Sequence, residues 1–314
     1  MKIFLLGKQA SITRWLEDAA LAFRRGGHEV RVGLTRRPWL NLALEQALAA
    51  PLADRISRRV ARFGPDLILV IGGYHIPAAM LDAIASLPSR APLVGWVGDN
   101  FDDSAVAADA RYDLVACTDS GLLARRDHRG FATPSLFLPH AVDPGAGQRL
   151  APGSGRRTQM VFVGNPTPHR RAVVSALERP IVLYGPAWRR MPDVDHEIHG
   201  RRISKRRVFG LYAEHLAALN IRNEYNVLAG LNQRNFEPCL AGAAVVTDDQ
   251  PDLSLCFEPG REVLAWRTTE ELNALYAQVL SDPAWAAAVG KAGRRRVLAD
   301  HTYAARLQSL RAAL

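Results

Sequence analysis

Cysteine is nearly absent from this chain, and the little there is excludes a good deal. Cys117, Cys239 and Cys256 are odd in number, lie far apart and lack the close spacing of a zinc or redox motif. Neither a disulfide framework nor a metal site is expected from them, and each reads as a small buried side chain among apolar neighbours. Long apolar runs are missing as well. Nothing approaches the roughly 20 residues that cross a bilayer. "IFLL" at Ile3 to Leu6 is too short for the apolar stretch of a signal peptide and reads as a first strand. A cytoplasmic chain without a transmembrane segment is the expectation. There is no short-period repeat and no long low-complexity tract, so neither a solenoid nor a disordered chain is expected.

What is present is a chain of 314 residues with 48% hydrophobic content, enough to bury two cores rather than one. Its net charge of +9 raises the question of nucleic acid, because clustered arginines neutralise phosphates. The basic residues are instead spread as short pairs, Arg24-Arg25, Arg36-Arg37, Arg58-Arg59, Arg125-Arg126 and Arg189-Arg190, and they are almost all Arg. That distribution has the look of a compositional bias, and it suits an anionic ligand or surface. One run stands out, "RRISKRR" at Arg201 to Arg207. A solvated helix start is its ordinary reading, a phosphate clamp or an anionic partner its functional one.

The first half alternates strand-like runs, "KIFLLG", "HEVRVGLT", "DLILVIGG", "PLVGWVGD", "DLVACTD" and "PSLFLPHAVD", with helical patterns. Ile12, Trp15, Leu16, Ala19 and Phe23 share a helix face that Gly26-Gly27 ends. This βαβα pattern predicts a parallel sheet covered on both faces. Its ligand side is the carboxyl edge of the strands, so the loops to watch are "GKQAS", "GGYH", "GDNFDD" and "TDSG". Asp99, in the third of these, is the candidate general base, with a helix cap or solvated turn as the equal alternative. His75 and His140 follow strands too, and a structural role is the more common one for a single histidine.

The stretch "PGAGQRLAPGSGRR" from Pro144 to Arg157 has no periodicity and reads as a linker. It separates a first domain over 1–145 from a second over 158–300, with residues 301–314 as a terminal helix packed on a domain surface. The second domain repeats the alternation, with strands "TQMVFVGN", "PIVLYG", "AAVVTD" and "EVLAW" and a helix over "SKRRVFGLYAEHLAAL" capped by Ser204.

"NQRNFEPCLAGAAVV", Asn232 to Val246, puts Arg234 and Glu237 directly before a run that should be buried. If Phe236 to Ala241 opens a helix, its free N–H groups and dipole favour an anion. Arg234 adds a fork that fits phosphate oxygens, and Glu237 would accept from the two hydroxyls of a ribose. The alternative is that Glu237 complements its helix and pairs with Arg234 at the surface, a contribution of roughly 0–1 kcal/mol. On these residues alone the two readings stand level.

From Met160 onward, Phe162 to Asn165 with Arg170, Tyr184-Gly185 with Trp188, Leu219-Asn220, Asn232 with Arg234 and Phe236-Glu237, Phe257 to Glu262, and His301 to Arg306 occur in an order similar to that of the CgeB-like (spore-maturation-protein-like) glycosyltransferases, relatives of glycosyltransferase group 1. "LPHAVDP" at Leu138 to Pro144 and "WVGDN" at Trp96 to Asn100 resemble pieces of the acceptor half of such enzymes. The resemblance implies an α/β, GT-B architecture, two Rossmann-like domains with parallel sheets facing an interdomain cleft. It implies a nucleoside diphosphate sugar as donor, UDP- or dTDP-linked, held mainly by the second domain, and an acceptor hydroxyl whose carrier is unidentified and suits being anionic. No cofactor and no metal are implied. The donor set expected from it is Gly164, Asn165, Tyr184, Gly185, Asn232, Arg234, Phe236, Glu237 and Glu262, to which the positive charge of Arg170, Lys205 and Arg207 adds further candidates. Among these, Glu237 would contact the ribose, Arg234 and the backbone near Gly164 the diphosphate, and Glu262 the nucleotide side of the pocket. One position departs from the broader group, which often has a glutamate eight residues before the one matching Glu237, where this chain has Ala229. Two other functions stay open at this point: a non-catalytic protein of this fold that binds a nucleotide or an anionic polymer, and a sugar-nucleotide epimerase or hydrolase.

Overall fold

The computed structural model describes residues 1–8, 15–36, 42–88, 90–147, 155–188 and 195–314. Ile12, the end of the "GKQAS" loop from Gln9 to Ser11, Arg37, the linker stretch 148–154 and the Arg189-Arg190 pair lie outside the described residues. Contacts divide the chain into two compact units, Met1–Pro139 with Tyr303–Leu314, and His140–Thr302.

The first unit is built from β1 (Lys2–Lys8), α1 (Trp15–Arg25), β2 (Glu29–Arg36), α2 (Leu42–Phe63), β3 (Leu67–Ile71), α3 (Ala78–Ala85), β4 (Leu93–Val97), α4 (Ala105–Asp109), β5 (Leu114–Cys117), α5 (Ser120–His128) and β6 (Ser135–Phe137). The strands form one parallel sheet in the order β2-β1-β3-β4-β5-β6. The inner strands β3, β4 and β5 are buried along their whole length, as strands covered on both faces must be. Helix α1 turns Leu16, Ala19, Ala20 and Phe23 inward and ends at Gly27, whose φ of 78° lies in the left-handed region that glycine adopts without strain.

The pair Arg125-Arg126 is not simply surface charge. Arg126 is 1% exposed and forms an ion pair with Asp109 at 2.6 Å. The Tyr74 hydroxyl donates to Asp109 (2.6 Å) and accepts from Arg126 Nε (2.8 Å), which joins the loop after β3 to α4 and α5. Removing one partner of such a pair would strand a buried charge.

The second unit holds α6 (Pro144–Gly147), β7 (Val161–Val163), α7 (Pro168–Ser175), β8 (Val182–Tyr184), β9 (Glu197–His199), α8 (Lys205–Glu214), β10 (Ala217–Asn220), α9 (Gln233–Ala241), β11 (Ala244–Asp248), α10 (Leu253–Cys256), β12 (Leu264–Trp266), α11 (Thr269–Ser281) and α12 (Pro283–Asp300). Its strands form a second parallel sheet, β12-β11-β10-β7-β8-β9. The edge strand β9 has no apolar run and was not visible as a strand in the sequence. The last helix, α13 (Tyr303–Ala313), belongs to the first unit. Its Tyr303 ring packs edge-on against Phe23 and Trp96, and Arg306 Nε donates to Pro139 O at 2.7 Å.

All three cysteines are buried thiols, none of them joined in a disulfide. No helix among the described residues is long and apolar enough to cross a membrane. Among the same residues no group of three or more His, Cys, Asp or Glu side chains is placed to hold a metal ion.

Candidate functional site

The second sheet changes direction at one place. From β7 the chain runs outward through β8 and β9, then returns to β10, β11 and β12 on the other side of β7. Open parallel sheets bind ligands at the carboxyl ends of the two strands where this reversal occurs. Here those ends lead into α7 and α9.

Helix α9 begins at Gln233, three residues before the Phe236 start read from the sequence. Asn232 caps it, its side-chain oxygen accepting from Arg234 N at 2.8 Å, while Asn235 Oδ1 accepts from Asn232 N at 3.1 Å. The reciprocal cap uses Asn where Glu or Gln is the usual signal, which hid the boundary. Arg234 is therefore in the first turn. Phe236 faces the core, 0% exposed, against Phe257 and His301, and supports the helix rather than offering a surface to a ligand.

Glu237 does not pair with Arg234. Its carboxylate is bonded through Oε1 to Lys205 Nζ in the first turn of α8, and both side chains are at least nine-tenths buried. Ser204 caps α8 as expected, accepting from Arg207 N at 3.3 Å. The fully buried Tyr212 hydroxyl is pushed up from its ordinary range by burial and then by Glu237, while Arg234 pulls it down, so the three share one neighbourhood.

Arg170, at the start of α7, is 3% exposed. Its Nε donates to Ile221 O and its Nη1 to Asn165 O, both at 3.0 Å, but Nη2 is buried with no partner. Burial and then the positive charge of Arg234 lower its pKa to about 9. Arg234 has no hydrogen bond or ion pair for its guanidinium among the described residues, and its Nε is likewise buried without a partner. Two guanidiniums that repel each other at the starts of two helices, both with unused N–H groups, make a site for a multiply charged anion.

A carboxylate already stands at the rim. Glu224 accepts from Thr167 Oγ1 (2.9 Å) and His169 N (3.5 Å) at the first turn of α7. Burial would raise its pKa, but these bonds hold it below the ordinary value.

Under the site lies a ladder of buried amides. Asn220, the last residue of β10, donates to Asn235 Oδ1 (2.9 Å) and Thr247 Oγ1 (3.3 Å), and Asn232 donates to Asn220 Oδ1 (3.3 Å). Asn235 donates to Thr247 Oγ1 at 3.0 Å, tying α9 to the end of β11. Asp248 beside it is pushed up by burial, against the pull of the Arg222 N–H and charge. Of these, the sequence points only to Asn220 and Asn232. The available signal was a polar residue ending each apolar strand, "ALN" and "VVTD".

Gly164, Tyr184, Gly185 and Trp188 form a packed joint at the ends of β7 and β8. Gly164 N donates to Tyr184 O (2.9 Å) and Trp188 Nε1 donates to Gly164 O (2.7 Å). A Cβ on Gly185 would lie 2.2 Å from Gly164 O, so only glycine fits. The joint fixes the loop that carries Asn165 and leads into α7, while the N–H of Gly164 itself is already bonded. Arg207 is half exposed and paired with Glu214. Glu262 accepts from Arg296 Nε and Glu258 N, both at 2.8 Å, and braces the loop before β12. In the first unit, Asp99 is exposed just beyond β4, and Asp102 caps the following turn by accepting from Ser104 N at 2.9 Å. His75 is exposed and His140, in the second unit, is buried.

Residues 168–312 match the family model described as glycosyl transferase-like. No curated protein matches the chain. Among solved structures, it is similar to sucrose-phosphate synthase from Thermosynechococcus elongatus (14% identity, TM-score 0.68, 100% of this chain and 98% of that one). It is similar to Anabaena HepE in complex with UDP-glucose (14% identity, TM-score 0.69, 100% and 99%). A third likeness is to α,α-trehalose 6-phosphate synthase from Burkholderia multivorans (12% identity, TM-score 0.65, 99% and 96%). The fold is GT-B, and residues 168–312, most of the second unit together with α13, carry a glycosyl transferase-like domain.

Proposed function

We propose that the protein transfers a sugar from a nucleoside diphosphate sugar, UDP- or dTDP-linked, to an acceptor hydroxyl, and that side chains rather than a metal neutralise the leaving diphosphate. One observation carries this reading. Arg170 and Arg234 bring unused N–H groups and two like charges to the start of α7 and α9, at the reversal of the second sheet. Charge that develops on the leaving diphosphate in the transition state is stabilised where fixed donors already face it. Lys205 adds a positive charge held in place by Glu237. Glu237 keeps Oε2 for a ribose hydroxyl.

Asp99, an exposed carboxylate at the carboxyl end of β4, is proposed as the base that takes the acceptor proton. The exposed Arg201, Arg202 and Arg206 favour an acceptor that carries negative charge. The order of motifs from Met160 to Arg306 supports the CgeB-like subfamily, and three buried thiols outside any disulfide support a reducing, cytoplasmic setting. HepE was solved with UDP and with UDP-glucose, which makes UDP the first nucleotide to try.

The test is thermal unfolding with UDP, dTDP, GDP and ADP, in wild type and Glu237→Ala. A ligand at a hundred times its dissociation constant stabilises by about 2.7 kcal/mol, which moves the midpoint by several degrees. One stabiliser, weakened in the variant, is expected. A midpoint unmoved by all four contradicts the proposal.

A further inference from the structure

Gln233 is the first residue of α9 and is 7% exposed, yet neither end of its side-chain amide has a partner: Nε2 and Oε1 are both buried and both unbonded. Buried amides are almost always satisfied, because leaving one dry costs the full desolvation of the group. The residues around it show that the local sequence is able to satisfy amides. Asn232 and Asn235, on either side, complete the cap and the ladder to Asn220 and Thr247. Gln233 is left out of that network and sits beside Arg234, whose charge is felt by Arg170 at the start of α7.

The chemistry of an amide says what kind of group completes it. Its nitrogen only donates and its oxygen only accepts. A phosphate offers acceptors alone and would leave Oε1 unbonded, whereas the hydroxyls of a pyranose both donate and accept. Asn223, in the connection that leads from β10 to α9, also holds a buried Oδ1 without a donor. Two buried acceptors waiting for protons call for hydroxyls next to the anion site.

We propose that Gln233 is a specificity-determining residue that binds hydroxyls of the sugar being transferred, while Arg170 and Arg234 hold the diphosphate. This rests on the donor-site reading above. It predicts a split between two ligands that differ only by the sugar, UDP and UDP-glucose, and an unusual effect on the free protein.

The experiment is calorimetric titration of UDP and UDP-glucose into wild type and Gln233→Met, with the unfolding midpoint of each free protein. Methionine keeps the length of the side chain and removes both polar ends. The expected result is a loss of roughly tenfold for UDP-glucose, a change of less than twofold for UDP, and a midpoint for the free variant equal to or above wild type. An equal loss for both ligands would place Gln233 on the nucleotide or diphosphate and overturn the assignment. Unchanged affinity for both, or a lowered midpoint of the free variant, would overturn it too. Failure of wild type to bind either ligand would contradict the donor-site reading itself, a separate and recognisable result.

Discussion

Replacing Arg234 by Met should weaken binding of a nucleoside diphosphate by one to two powers of ten without harming the free fold. The guanidinium makes no hydrogen bond or ion pair among the described residues, so no bond among them is lost when it goes. It also loses a repulsion, because the charge of Arg234 is one of the causes that depress Arg170. The unfolding midpoint of the free variant should therefore stay level or rise. Binding is different. Each hydrogen bond from a charged donor contributes about 1.5–3 kcal/mol, and about 1.4 kcal/mol is tenfold in affinity. One bond lost gives roughly a tenfold effect and two give a hundredfold or more. Calorimetry at moderate salt measures this directly, since a site this buried is little screened. Affinity within twofold of wild type would refute the assignment of Arg234 to the anion. So would a free variant destabilised by more than about 1 kcal/mol, which would reveal a structural duty instead.

Further outcomes follow from the same contacts. Lys205→Met strands the carboxylate of Glu237 and should cost about 3 kcal/mol in urea unfolding; adding Glu237→Met should restore most of it, and independent, additive losses would contradict the pairing. Asn235→Ala removes two ladder bonds and part of the α9 cap and should cost about 2–4 kcal/mol, against under 1 kcal/mol for an unneeded amide. Gly185→Ala forces a methyl onto Gly164 O and should cost at least about 2 kcal/mol and weaken nucleotide binding through the shifted loop that leads into α7; a neutral result would show the joint to be loose. His215 donates through Nδ1 to Gln159 O and is held below its ordinary pKa by burial. A base depressed in the folded state contributes stability that is present above its unfolded value, about 6.5, and is lost as the unfolded chain takes up a proton below it. Stability should fall from pH 7 to pH 5 by up to about 2 kcal/mol from this residue, and His215→Gln should flatten that fall.

Much of this arrangement is legible in the sequence because parallel strands buried on both faces announce themselves as apolar runs. β1, β3, β4, β7 and β11 lie where those runs are, whereas β10 (Ala217–Asn220) is a strand in the tail of "SKRRVFGLYAEHLAAL", a stretch whose periodicity reads as one helix but which ends as α8 at Glu214. The short edge strand β9, "EIH", carries no such signal, because an edge strand of three half-buried residues needs none. α9 starts three residues before the boundary the sequence suggests, because Asn235 completes its cap in place of the Glu or Gln that would signal it. The partner of Glu237 was out of reach for another reason. Lys205 is 32 residues away and meets it only because α8 and α9 pack together. Spacing along the chain reveals neighbours within one helix, and Arg234, the neighbour it suggested, is not the one used. The buried orphans on Arg170 and Gln233 are likewise properties of packing, visible only once each polar atom has been matched with its partners.

The central claim is that a diphosphate lies between the starts of α7 and α9. A crystal structure of the protein with UDP, or with whichever nucleotide raises its melting point, tests it most directly. The account predicts diphosphate oxygens within hydrogen-bond distance of Arg170 Nη2 and the Arg234 guanidinium. A nucleotide bound elsewhere, with both guanidiniums as they are in the free protein, would contradict it.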